Sequence, residues 1–245
     1  LSRLARRGDR LMAGNELTLG GPPYITLVAS LPALPPLFAA KRVPISRVRL
    51  EQRLRALLPE DRALLDELEQ LFVRPLADST WSDALLVERA QHLVPRLPSP
   101  ALGRVVEDIM EVLTVTAALR RRRRGEPPPA ADKGWGYGRW TRIIRASWQE
   151  PGLGVERAFP WVREAAEHVD RGDAIALESV LMREFWTLTG QPRVGHDFDV
   201  TAVALYVLRH RAVERRVAFD AEIATLRFRR LVDDGLAGFA GRTAA

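Results

Sequence analysis

The chain contains no cysteine, which removes disulfide frameworks, thiolate metal sites and cysteine nucleophiles from consideration. That absence fits a cytoplasmic protein. A secretory pattern is also lacking. The opening LSRLARRGDRLMAGNELTLGG carries basic residues but no apolar run behind them. Met12 offers a start, with Leu1 to Leu11 as an upstream extension, and residues 1–23 are expected to be loosely ordered. No membrane span is expected: Tyr24 to Ala40 is free of charge, but Pro32, Pro35 and Pro36 break it, and a spanning helix needs about 20 apolar residues without such breaks. Lysine is scarce, so nearly all the positive charge is arginine. HExxH, GxSxG and Walker patterns are missing.

What remains is a chain of 245 residues with 47% apolar content, enough for one large domain or two small ones. The stretch around which the rest is organised is Phe198 to Leu236. It has no proline, and its first glycine is Gly235. Asp197 or Asp199 can cap its start. Leu205, Leu208, Ala212, Phe219, Ile223 and Leu226 recur at helical spacing, with Val213, Val217, Phe228 and Leu231 as a second apolar line. One helix of that length spans about 55 Å. A break near Phe219-Asp220 is the alternative.

Upstream, punctuation marks further helices. Ser46 caps one with Leu50 and Leu54 inward, and Pro59-Glu60-Asp61 starts another with Leu65, Leu68, Leu71 and Phe72 inward. Thr80 with Asp83 reads as a capping box for a helix to about Val94. Ser99-Pro100 starts one with a stripe of Leu102, Val105, Val106, Ile109, Leu113 and Thr116, closing in Arg120 to Arg124. Trp135 to Gln149 is expected to be helical after its glycines, a second helix opens at Phe159-Pro160-Trp161 and closes at Gly172, and a third is capped by Asp173. Residues 24–31 (YITLVASL) read equally as a short buried strand or as the first turns of a buried helix. The expectation is an all-α bundle of about eight or nine helices with a long C-terminal helix, and no βαβ alternation. It divides into a helical part at 24–124, a Pro-rich loop at 125–134 and a second helical part at 135–240, which would make two subdomains.

Arg120, Arg121, Arg122, Arg123 and Arg124 form the strongest charge signal. They read either as a soluble helix end complementing the dipole or as a patch for an acidic partner. The aromatic segment Trp135-Gly136-Tyr137-Gly138-Arg139-Trp140, with Trp148 and Trp161, reads either as a loop lock with bonded indole N–H groups or as a base-stacking surface. His196 with Asp197 and Asp199 is a weak ligand set that capping explains. His92, His168 and His210 lack partner spacing. No catalytic constellation, cofactor site or metal site is assigned.

Three stretches resemble a bacterial family encoded in V-type ATPase operons: YITLVASLP at 24–32, WGYGRWTRIIRASW at 135–148 followed by PGLGVERAFPW at 151–161, and FDVTAVALYVLRHRAVERRVAFDAEIATLRFRRLVDD at 198–234. The last is also similar, more distantly, to the C/d-type central-stalk subunit of V-type and archaeal ATPases, through Val203 to Leu208 and Ala212 to Arg216. The resemblance implies a non-catalytic helical subunit, or an accessory or assembly protein, of a rotary proton- or sodium-transporting ATPase. Its partners would be other subunits on the stalk or membrane-ring side. The implied place is cytoplasmic, peripheral to the membrane through the complex. Charge placement offers Arg120 to Arg124 and the final-stretch arginines Arg209, Arg215, Arg216, Arg227, Arg229 and Arg230 as rim contacts. The alternative function is a basic, helical nucleic-acid-binding protein relying on Trp135, Tyr137 and Trp140.

Overall fold

Prolines, glycines and side-chain caps cut the chain into helices. The computed structural model describes residues 22–72, 82–130, 134–191 and 195–219. Within them lie nine α-helices and no strand: α1 (Pro22–Ser30), α2 (Arg47–Leu54), α3 (Pro59–Phe72), α4 (Asp83–Leu93), α5 (Pro100–Arg123), α6 (Thr141–Ala146), α7 (Val162–Arg171), α8 (Ala174–Gly190) and α9 (residues 200–219). The architecture is an all-α bundle. No helix among the described residues is long and apolar enough to cross a membrane.

The caps follow from side-chain chemistry. Ser46, Ser99 and Asp173 accept the backbone N–H groups of Arg49, Leu102 and Ala176 at 3.4, 3.1 and 2.9 Å. Asp199, rather than Asp197, caps α9 by accepting from the Ala202 N–H at 3.1 Å. Gly172 ends α7 at φ 73°, a left-handed geometry that glycine adopts without a Cβ penalty.

Three expectations change or resolve. Residues 24–30 are helical, within α1, with Leu31 in the bend that follows, and Tyr24 and Leu27 are buried one turn apart. The cap of α4 is Ser82, accepting from Leu85 N–H at 3.2 Å. Asp83 lies in the first turn, and Thr80 lies outside the described residues. The helix expected after the glycines of Trp135 to Gln149 runs over Thr141–Ala146 and stops short of Gln149. Ahead of it, Gly138 at φ 85° and the burial of Trp135 at 4% exposure hold 134–140 as an irregular segment against α5. The question of one helix or two beyond Phe219 falls on residues outside the described ones, as do residues 1–21.

Helix α5 organises the core. Fourteen of its 24 residues are buried, far more than one amphipathic stripe supplies, so it is covered on several sides. Its hydroxyls are satisfied internally: Thr114 and Thr116 donate to the Met110 and Val112 carbonyls, both at 2.9 Å. The N-terminal half of α5 packs into one apolar cluster with Leu27, Leu50, Leu68, Val203 and Leu208. The C-terminal half packs into a second with Trp135, Ile144, Trp148, Leu153, Val162, Val169 and Val180. The division between clusters thus falls inside α5, between Met110 and Val112. α7 and α8 pack on each other and on α5, while α4 packs on α3 and α5.

The helix α9 side chain Leu208 is 1% exposed and Val48 of α2 is 68% exposed. Leu208→Ala is expected to cost about 2–5 kcal/mol of unfolding free energy. Val48→Ala should stay within about 0.5 kcal/mol. Urea denaturation of the two variants checks the contrast, and similar losses at both positions would contradict the packing of α9 into the core.

Candidate interaction surface

Five consecutive arginines at the end of α5 need partners or water. Three of them are engaged inside the chain. Arg121 donates to the Asp83 carboxylate through Nε at 3.1 Å and Nη2 at 2.8 Å, tying α5 to the start of α4. Arg122 donates to the carbonyls of Glu150 and Pro151, the latter at 3.1 Å. Arg124 pairs with Glu126 at 2.6 Å. Arg120 and Arg123 are exposed and form no ion pair among the described residues. The run is therefore mainly a clamp on neighbouring loops, with two outward cations.

The described arginines of the final stretch lie against neighbouring elements, Arg215 while remaining exposed. Arg209 lies 3.8 Å above the Trp186 ring of α8, and burial pushes its pKa down. Arg215 pairs with Glu178 of α8 at 2.8 Å. Arg216 lies over the Phe38 ring at 5.3 Å. Arg227, Arg229 and Arg230 lie outside the described residues.

One residue of this helix was not singled out by charge placement. Arg211 is 8% exposed, yet carboxylates surround it: Glu69 at 2.6 Å, Glu214 at 2.7 Å and Glu51 at 3.8 Å. Burial alone would lower the Arg211 pKa, but the hydrogen bonds it donates to Glu69 and Glu214 override it and raise the value. Glu51 also pairs with Arg62 at 2.6 Å, and Arg62 with Asp66 at 3.1 Å. This network joins α2, α3 and α9. Beside it, His210 is completely buried and its Nε2 sits 2.8 Å from the Ile45 carbonyl. A carbonyl only accepts, so Nε2 carries the proton. Tyr206 donates to the Pro32 carbonyl at 2.9 Å, and burial pushes its phenol up to about 12. The only sequence-level hint of this arrangement was the i, i+3 spacing of Arg211 and Glu214.

The aromatic segment behaves as a lock. Trp135 and Trp148 are 4% and 3% exposed and meet edge to face at 6.4 Å. The Trp148 indole N–H donates to the Glu126 carbonyl at 3.0 Å. Trp135 and Trp148 therefore present no ring face for a base. Trp140 is half-buried, and its indole N–H donates to Glu111 of α5 at 2.8 Å. Glu111 is 9% exposed, and the Arg139 guanidinium Nε lies 3.8 Å from its other oxygen. Gly138 makes this approach possible, because a Cβ there would fall 2.6 Å from the Glu111 carboxylate. A lone glutamate inside an apolar helix stripe was the signal for this contact, and spacing alone did not expose it.

Around that contact lies a cleft of about 200 Å³, with Asp108, Glu111 and Glu184 on its helical sides and Trp140, Phe159 and Trp161 as aromatic walls. Burial pushes the Glu111 and Glu184 carboxyls above the usual range. A second, more open cleft of about 370 Å³ is lined by Glu51, Leu54, Arg55, Leu57, Pro59 and Arg62.

The four histidines do not share a site. His92 lies beside Arg96, His168 beside Glu164, and His196 contacts Asp199, whose other oxygen caps α9. Among the described residues no group of three His, Cys, Asp or Glu side chains is arranged to hold a metal ion. No protein-family model, curated protein or solved structure matches the chain.

Two outcomes test these contacts. Arg211→Met strands Glu69 and Glu214 and is expected to cost about 3 kcal/mol, near the lower end for a broken buried pair because Glu214 keeps access to water. Chemical denaturation measures it, and a loss below about 1 kcal/mol would make the network incidental. For Glu111, the folded carboxyl holds its proton more tightly than the unfolded one. Its contribution is full below the ordinary carboxylate range and is lost as pH rises through the raised folded value. Glu111→Gln keeps an acceptor for Trp140 without the charge. Its stability relative to the parent should therefore improve between about pH 4 and about pH 7, and a constant or falling difference across that window would contradict the burial effect.

Proposed function

We propose that this chain is a non-catalytic helical subunit, or an accessory or assembly protein, of a V-type rotary ATPase, with a coupling role like that of the C/d central-stalk subunit. The observation that carries the reading is the ordered resemblance of residues 24–32, 135–161 and 198–234 to the family encoded in V-type ATPase operons. The described parts of these stretches are the elements that build the core. They supply Tyr24 and Leu27, then Ile144, Trp148 and Leu153, then Val203 and Leu208. A shared pattern at such positions is a pattern of fold, so a related helical body is what it supports.

The same proposal sets the partners as other subunits of the complex, on the stalk or membrane-ring side, and the place as the cytoplasmic face, held to the membrane through them. Arg120 and Arg123 are the cations of the α5 run left for a carboxylate on a partner's rim. Arg121 and Arg122 already hold the fold.

Affinity capture of the tagged chain from its own cells, at moderate salt in mild detergent, tests the reading by mass spectrometry. Rotary-ATPase head, stalk or ring subunits are expected in the eluate. Reversing Arg120 and Arg123 together to glutamate should lower their recovery by roughly two- to fivefold without shifting the unfolding midpoint. Arg121→Glu should instead lower stability. Recovery of nucleic acid or ribosomal proteins in place of ATPase subunits would overturn the proposal in favour of nucleic-acid binding.

A further inference from the structure

We propose that the cleft between α5 and α8 is a receptor for one basic side chain of a partner protein, a guanidinium or ammonium group on an aliphatic stem. The proposal is independent of the assembly in which the chain works. The whole chain carries a net charge of +6, yet this site reverses the sign. Among its lining side chains the carboxylates of Asp108, Glu111 and Glu184 outnumber the guanidinium of Arg139, with Arg183 a further positive neighbour of Glu184.

Carboxylates alone would not define a site; the walls do. Trp140 and Phe159 meet at 5.8 Å, and Phe159 and Trp161 also at 5.8 Å, both edge to face. A ring face beside a carboxylate attracts a desolvated cation through the aromatic quadrupole as well as through charge, and the face shown to take one here is that of Trp140. The protein already places one cation in this setting. The Arg139 guanidinium lies 5.1 Å from the Trp140 ring centre, with its Nε 3.8 Å from Glu111. The Arg139 side chain is 76% exposed and the Glu111 side chain 11%. Arg139 is therefore a loosely held rim cation that an incoming one can displace, while the carboxylate beneath it stays fixed by the Trp140 indole.

Size decides the class of occupant. A cleft of about 200 Å³ falls below the roughly 300–1,000 Å³ of typical small-molecule sites. It suits the head of one side chain. Burial has also raised the affinity of Glu111 and Glu184 for protons, the state in which an added positive neighbour has most to offset.

The test uses the full chain and three probes: Nα-acetyl-arginine methylamide, Nα-acetyl-lysine methylamide, and the neutral isostere Nα-acetyl-citrulline methylamide. The indole N–H resonances of Trp140 and Trp161, assigned by single Trp→Phe variants, report occupancy by NMR. Saturable shifts are expected with either cationic probe, and none with citrulline. Glu184→Gln should weaken binding by roughly two- to fivefold, and Arg139→Gln should tighten it by a similar factor by removing the internal competitor. Arg139 is exposed, so its variant keeps the test sound should Glu184→Gln fail to fold. Absence of a saturable shift, an equal response to citrulline, or weaker binding by Arg139→Gln would overturn the proposal.

Discussion

A guanidinium is costly to bury without its counter-charge, and Arg211 shows how the chain meets that constraint. Glu69 arrives from α3, Glu51 from α2, and Glu214 from the next turn of α9 itself. Because the acids are spread over three helices, the pairing works only if α9 has one rotation about its axis and one depth against α2 and α3. The apolar face of α9 then meets Leu68, Val105 and Val106 in the same cluster. Hydrophobic burial drives the association, and the ion network adds a geometric condition on how α9 can sit against α2 and α3.

The same helix also completes the hydrogen bonding of a stretch that cannot do so itself. Between α1 and α2 the chain is rich in proline and mostly irregular, so its carbonyls have few partners of their own. Tyr206 and His210 reach across to Pro32 and Ile45, and Arg53 of α2 donates to the Ser30 carbonyl. At the other end of the molecule Arg122 does this for the loop at 150–151. Much of the chain's basic surplus is thus internal mortar between helices and loops, which tempers any reading of the high positive charge as a field for an anionic partner.

Helix starts were legible because their chemistry is local. Ser46, Pro59, Ser99 and Asp173 sit within a turn of what they cap or begin, so spacing alone locates them. Legibility fails where partners come from far along the chain. Arg211 and Glu69 lie 142 positions apart, and Trp140 and Glu111 lie 29 apart. No periodicity links such pairs. The segment from Trp135 to Gln149 is legible only in part: its glycines mark where the helix has not begun, but that Trp135 and Trp140 reach α5, and that glycine at 138 gives the backbone room to do so, depends on Glu111 far back in the chain. Of the candidate contacts, the arginine run was visible at once, yet which of its members face outward depended on Asp83 and on the loop carbonyls.

Helix α5 belongs to both apolar clusters, and the loop that follows it does not separate them. The second cluster borrows Val112, Val115 and Leu119 from before the loop, while the first borrows Val203 and Leu208 from after it. The two halves are therefore interlocked like clasped hands. A backbone cut between Glu126 and Pro129 would sever the covalent thread and leave each fragment with an incomplete interior that only the other can fill. Such fragments have reason to remain together and to find each other again after separation, so the chain lends itself to splitting and reassembly more readily than to division into independent parts.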